Sequence, residues 1–110
     1  MKNKVLVLGN GIIGTQVKTA ATQLGYSVAT ADIKDAMFQV DLRDEEQYAE
    51  VLHDWKPNII FNTAGKDQKL GEDAKPLHEM QNTDWDNLFG HNTDLLFNVA
   101  RTSLAYLMNN

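Results

Sequence analysis

Gly9, Gly11 and Gly14, with an acid at position 32, are the residues of this chain whose types and spacing could do chemistry. Three such glycines leave a backbone with no side chains in the way. Its amide N–H groups can close on an anion at the start of a helix, where the helix dipole adds to the attraction. The stretch reads Gly9-Asn10-Gly11-Ile12-Ile13-Gly14, and Asp32 stands 18 positions past the last glycine. In a dinucleotide-binding turn the first glycine permits the tight exit from a strand and the second admits a pyrophosphate. The third lets the helix pack closely on the strand, and the acid accepts hydrogen bonds from the adenosine ribose. A carboxylate there would repel a 2′-phosphate, so NAD(H) is favoured over NADP(H), although Lys34 nearby works against that preference. Two plainer readings stand beside this one: a glycine-rich turn with no nucleotide, and Asp32 as a solvated acid at a strand end.

The fingerprint carries its meaning only between a strand and a helix. Residues 3–8 are apolar and β-branched and read as a buried strand. Residues 11–24 read as a helix with Ile13, Val17, Ala20, Ala21 and Leu24 on one face, stopped by Gly25. Residues 27–31 make a second strand and Met37 to Val40 a third, ending at Asp41-Leu42. Asp44, Glu45 and Glu46 load the first turn of the next helix with negative charge. Tyr48, Val51, Leu52 and Trp55 form its apolar stripe, and Pro57 ends it. Residues 58–63 are a fourth strand, leading into Ala64-Gly65. Alternating elements with nearly continuous apolar strands predict an α/β chain: a Rossmann-type, doubly wound parallel sheet in the order 3-2-1-4, with a C-terminal helix. The whole of 1–110 is expected to form one domain. Residues 66–82 read as a polar loop. A capping sequence at Thr83-Asp84-Trp85-Asp86 precedes helical pattern, bent or broken near Gly90 and clearest over 93–108.

Parallel sheets bind ligands outside the carboxyl ends of their strands, near the switch in strand order. Asp41-Leu42 and Ala64-Gly65 therefore fall on the same edge as the glycine turn and Asp32-Ile33. Asp41 could accept from an adenine amine with Leu42 packed nearby, and Ala64 and Gly65 are small enough to let a ribose pass. Equally, Asp41 could only start a turn, and Ala64-Gly65 could be an ordinary strand exit.

Asp41-Leu42-Arg43-Asp44 and Lys56-Pro57-Asn58-Ile59-Ile60-Phe61-Asn62-Thr63-Ala64-Gly65 resemble the short-chain dehydrogenase/reductase superfamily. Asn62-Thr63-Ala64-Gly65 is similar to that family's Asn-Asn-Ala-Gly segment. Thr83-Asp84-Trp85-Asp86 through Asn92 resembles its Trp-Asp-x-x-x-x-x-Asn segment, and Phe97-Asn98-Val99-Ala100-Arg101 fits the helix that follows. The resemblance covers nearly the whole chain but only the family's N-terminal half. It implies the adenine side at Asp41 and Leu42, and the cofactor ribose near Asn62, Ala64 and Gly65. It also implies a role for Asn92 as the asparagine that supports the family's proton relay. Two departures stand out. The glycines are spaced as in the general Rossmann turn rather than as the family spaces them. No tyrosine is followed four residues on by lysine: Tyr26, Tyr48 and Tyr106 are followed by Thr30, Leu52 and Asn110. No catalytic residue is therefore assigned, and the expectation is a binding domain that is not catalytic alone. The alternatives are one piece of a longer or split oxidoreductase, or a regulatory module sensing an adenine nucleotide.

Composition bounds the rest. At 110 residues with 43% hydrophobic content the chain can bury a core, and a net charge of −5 argues against nucleic acid as a partner. No apolar run approaches the ~18 residues a membrane span needs. The absence of cysteine suits a reducing compartment, so the expected location is cytoplasmic. His53, His78 and His91 have no metal-ligand spacing, and Ser27 and Ser103 have no nucleophile context. In the last helix Leu96, Val99, Ala100, Leu104 and Leu107 form one apolar face, with Leu95, Phe97, Ala105 and Met108 beside it. That excess, like the family's use of the matching helix between subunits, suggests self-association or a partner chain; a broad buried stripe is the other reading.

Overall fold

A computed structural model describes residues 3–65 and 76–109. Its elements are β1 (Lys4–Leu8), α1 (Ile12–Gln23), β2 (Ser27–Asp32), β3 (Phe38–Gln39), α2 (Glu45–Trp55), β4 (Ile59–Asn62), a short 3-10 turn (Leu77–Glu79) and α3 (Asn82–Met108). The strands form one parallel sheet in the order β3-β2-β1-β4. The chain steps outward from β1 through α1 to β2 and β3, then crosses back through α2 to β4 on the other side of β1, so the switch falls between β1 and β4, above the glycine turn.

Both faces of β1 are covered, because a strand with apolar side chains at every position from Val5 to Leu8 must be. Val5 and Val7 pack with Ala21 and the half-buried Val17, Val28 and Ile59 under α1. Leu6 and Leu8 join Ala29, Ala31, Tyr48, Leu52, Leu95 and Val99 under α2 and α3. Each helix ends where its local chemistry stops it. Gly25 takes a positive φ of 89° after α1, and the Tyr26 N–H closes back on the Ala21 carbonyl. Asp44 caps α2 by accepting from the N–H groups of Glu46 (3.0 Å) and Gln47 (3.2 Å). Lys56, in the left-handed region, and Pro57 terminate it.

Two expectations need correction. β3 has only two residues rather than four. α3 runs unbroken through Gly90 and starts at Asn82, where Gln81 and Asp84 form a capping box. Residues 66–75 of the expected polar loop lie outside the described residues, and 76–81 contain the 3-10 turn.

The apolar faces also differ from the periodicity. On α1, Gly14 and Ala21 are buried whereas Ile13, Ala20 and Leu24 are exposed. On α3 the inward residues are Leu95, Asn98, Val99, Thr102 and Ser103, while Leu96 (58%), Leu104 (58%) and Leu107 (41%) stay exposed. Three polar residues face inward because the α2 side has polar groups to satisfy. The Asn98 side-chain amide donates to the Leu42 carbonyl (2.7 Å), and the Ser103 and Tyr48 hydroxyls share a hydrogen bond of 2.7 Å. A buried carbonyl or phenol without such a partner would cost more than an exposed leucine does.

Candidate functional site

β1 ends in the glycine turn, and the turn's shape explains its glycines. Gly9 has a φ of 97°, a conformation that strains residues with a Cβ, and its N–H donates to the Ala31 carbonyl (2.8 Å). A Cβ on Gly14 would stand 2.2 Å from the Gly9 carbonyl oxygen and 2.8 Å from Thr63 Oγ1. Gly11 meets nothing within 4 Å, so its backbone lies open to an approaching group. It is also the N-cap of α1, with no side chain bonded to the helix's first N–H groups and no acid in the first turn. Uncapped N–H groups beside an open glycine make a fit for a diphosphate. Ile12 and Ile13 point away from the core, 81% and 67% exposed.

Asp32 ends β2 at the same edge. Its Oδ2 accepts from the Asn10 N–H and its Oδ1 from the Ile33 N–H, both at 2.7 Å. The carboxylate is therefore held beside the turn, with lone pairs left for ribose hydroxyls.

The remaining positions largely converge. Asp32, Ile33, Asp41, Leu42, Ala64 and Gly65 line one notch of about 40 Å³, together with Val40, His91 and Leu95. The ends of β2, β3 and β4 and the residues just after them deliver seven of the nine, and α3 closes the notch with His91 and Leu95. Asn62 does not line it; its side-chain carbonyl accepts from the Ala64 N–H (3.1 Å) and shapes the strand exit. Asn92 is half-buried, and its Oδ1 lies 3.4 Å from where a Gly65 Cβ would be.

Asp41 is not a free acceptor. Arg43 donates to it through Nε and Nη2, each at 3.2 Å, and its N–H donates to Oδ1 (3.0 Å). The Arg43 side-chain hydrogen bond holds the Asp41 carboxyl below the usual carboxylate range; partial burial opposes it, and the charges of Arg43 and His91 add to the lowering.

One residue of the site, Thr63, escaped the sequence reading. Thr63 donates its hydroxyl to the Leu8 carbonyl (2.8 Å), as does its N–H (2.8 Å), and fills the space beside Gly9 and Gly14. A short hydroxyl residue at a strand end opposite a glycine turn was the available signal. His91 faces the notch, a position that depends on where α3 crosses the sheet. Among the described residues no group of three or more His, Cys, Asp or Glu side chains could hold a metal.

The profile described as the NAD dependent epimerase/dehydratase family matches residues 5–90. Solved structures share the fold. A short-chain dehydrogenase from Leptospira borgpetersenii, with bound NAD+, is 17% identical with a TM-score of 0.75, covering 93% of this chain and 44% of that one. A UDP-rhamnose synthase from Acanthamoeba polyphaga mimivirus is 21% identical with a TM-score of 0.72, covering 96% and 34%. A GDP-mannoheptose C4 reductase from Campylobacter jejuni, with NADP bound, is 18% identical with a TM-score of 0.71, covering 96% and 30%. The chain thus spans less than half the length of these structures. No curated protein matches the sequence.

Fold and site together define a Rossmann-type domain. The chain belongs to the NAD-dependent epimerase/dehydratase family. That membership supports a nicotinamide dinucleotide as the class of ligand.

Proposed function

We propose that this chain is the dinucleotide-binding part of a family oxidoreductase, that it takes NAD(H) in preference to NADP(H), and that it is not catalytic alone. The observation that carries the binding reading is the open, uncapped α1 N-terminus at Gly11, with Asp32 held beside it by Asn10. The diphosphate would meet the N–H groups of the turn. Asp32 would accept from the adenosine ribose, and the notch between Ile33, Leu42 and Ala64 would take the edge of the adenine. When bound, the nicotinamide supplies hydride chemistry; this chain's residues bind, orient and discriminate. Asp32 favours NAD(H) because a fixed carboxylate repels a 2′-phosphate.

The absence of catalysis in isolation rests on the tyrosines. None has a lysine four residues on, and Tyr48 and Tyr106 are engaged with Ser103 and Pro57. A longer or split enzyme is favoured as the setting because the chain spans only 30–44% of the solved relatives. On α3, the exposed Leu96, Leu104 and Leu107 would meet a second copy or a partner chain.

Titration with NADH, followed by fluorescence and calorimetry, tests the reading. Saturable binding is expected, weakened by Asp32→Ala for NADH more than for NADPH. No binding at millimolar NADH would overturn it.

A further inference from the structure

Asn10 occupies a position of the glycine motif that the fingerprint leaves free, yet it makes two hydrogen bonds to segments more than 20 residues away in sequence. Its backbone N–H donates to Asp32 Oδ2 (2.7 Å). Its side-chain amide donates to the Asp35 carbonyl, in the loop between β2 and β3. Asp35 sits at a φ of 58°, a left-handed conformation in which the chain reverses, and the same loop carries Ile33 and Lys34. The Ile33 N–H holds the other Asp32 oxygen (2.7 Å). One residue thus links the pyrophosphate turn, the β2 acid and the loop that follows the acid.

We propose that Asn10 is a positioning residue for cofactor specificity: its side chain clasps the 33–37 loop against the glycine turn and fixes Asp32 where it tells a 2′-hydroxyl from a 2′-phosphate. This rests on the cofactor reading above. The physical argument concerns orientation. A carboxylate discriminates by charge and by hydrogen bonding only if it stays beside the ribose; one free to swing into water does neither well. With the clasp gone, the loop relaxes, Asp32 loses its fixed setting, and Lys34 is free to approach a phosphate. Hydroxyl recognition and phosphate repulsion should fade together.

The test uses the 110-residue chain. Dissociation constants for NADH and NADPH are measured by calorimetry for the wild type, Asn10→Ala and Asn10→Leu, with thermal unfolding in parallel. Both variants keep the backbone N–H that binds Asp32 and remove only the side-chain donor. Leucine also keeps the volume, so it carries the test if the alanine variant unfolds. The expected result is that the NADPH-to-NADH ratio of dissociation constants falls about fivefold in a folded variant, the scale of one lost hydrogen bond. A purely structural role would weaken both cofactors alike and leave the ratio within about twofold of wild type, which overturns the proposal for Asn10 alone. A wild type that binds neither cofactor overturns the cofactor reading and this proposal together.

Discussion

A carbon added at Gly14 would overlap the Gly9 carbonyl at 2.2 Å, whereas one added at Gly11 would meet nothing. The two glycines are therefore separable by experiment. Gly14→Ala should destabilise the fold by about 3 kcal/mol, since backbone cannot move aside as a flexible side chain can. Gly11→Ala should leave the unfolding temperature nearly unchanged yet weaken NADH binding, because the methyl group occupies the ligand's approach. Circular-dichroism melts paired with NADH titrations check both. Tyr48 gives a second residue-scale prediction. Burial pushes its phenol from 10.0 up to about 12, against a smaller lowering by the Ser103 hydrogen bond, and burial raises Tyr106 as well. A raised folded-state pKa means stability that is complete below pH 10 and drains away as pH climbs towards 12. Urea unfolding across that window should show the loss, and Tyr48→Phe should flatten it, with Tyr106 supplying the remainder.

Elements meet at the corner between β3 and α2, where Leu42 turns its carbonyl inward. Asn98 on α3 satisfies that carbonyl, while its Oδ1 accepts from Thr102 (3.3 Å) and Arg101 (3.1 Å). Asn98→Leu removes the donor and leaves a buried carbonyl unpaired, so a loss of about 1–3 kcal/mol is expected in denaturant unfolding. A result near zero would mean that the corner is held mainly by Leu95 and Val99. The same corner carries Asp41, whose lowered pKa gives stability present above the usual carboxylate range and lost as pH falls through the folded value. Its pairing with Arg43 is partly solvated, so the effect should be small and should shrink with salt. These contacts explain why the helix faces could not be read from periodicity. An apolar stripe on α3 is visible in the sequence, but the face that turns inward is the one whose polar groups answer those of α2.

At the scale of the molecule, β4 is an edge of the described sheet and α3 carries an exposed stripe. Leu96, Leu104 and Leu107 lie along one side of a 27-residue helix, which at ~1.5 Å per residue is about 40 Å long. If a second copy packs there, sedimentation should show an associated species that Leu104→Glu converts to monomer, with little change in monomer fold because the Leu104 side chain is exposed. A wild type that stays monomeric at high micromolar concentration counts against that partner. Among the described residues, no helix is long and apolar enough to cross a membrane.

What the sequence determined alone was most of what neighbours along the chain set, the length of β3 and the run of α3 through Gly90 excepted. The order of elements, the parallel sheet and its 3-2-1-4 arrangement follow from apolar runs, glycine positions and the handedness of crossovers. Gly9, Gly14 and Asp32 were legible because a tight turn, a close packing and a strand-end acid are local demands with fixed spacing. Tertiary structure decided what depends on distant segments meeting. Thr63 became the wall behind the glycines because β4 lies beside β1, with Leu8 opposite Asn62 in the register. Asp41 became an acceptor already occupied by Arg43. Asn10 became the link between the turn and a loop 25 residues on, and His91 reached the notch only because α3 crosses above it. Periodicity reports which side of a helix is apolar, but the partner surface chooses which side is buried. On α3 that surface had a carbonyl and a phenol to satisfy, and hydrogen bonding outweighed the stripe.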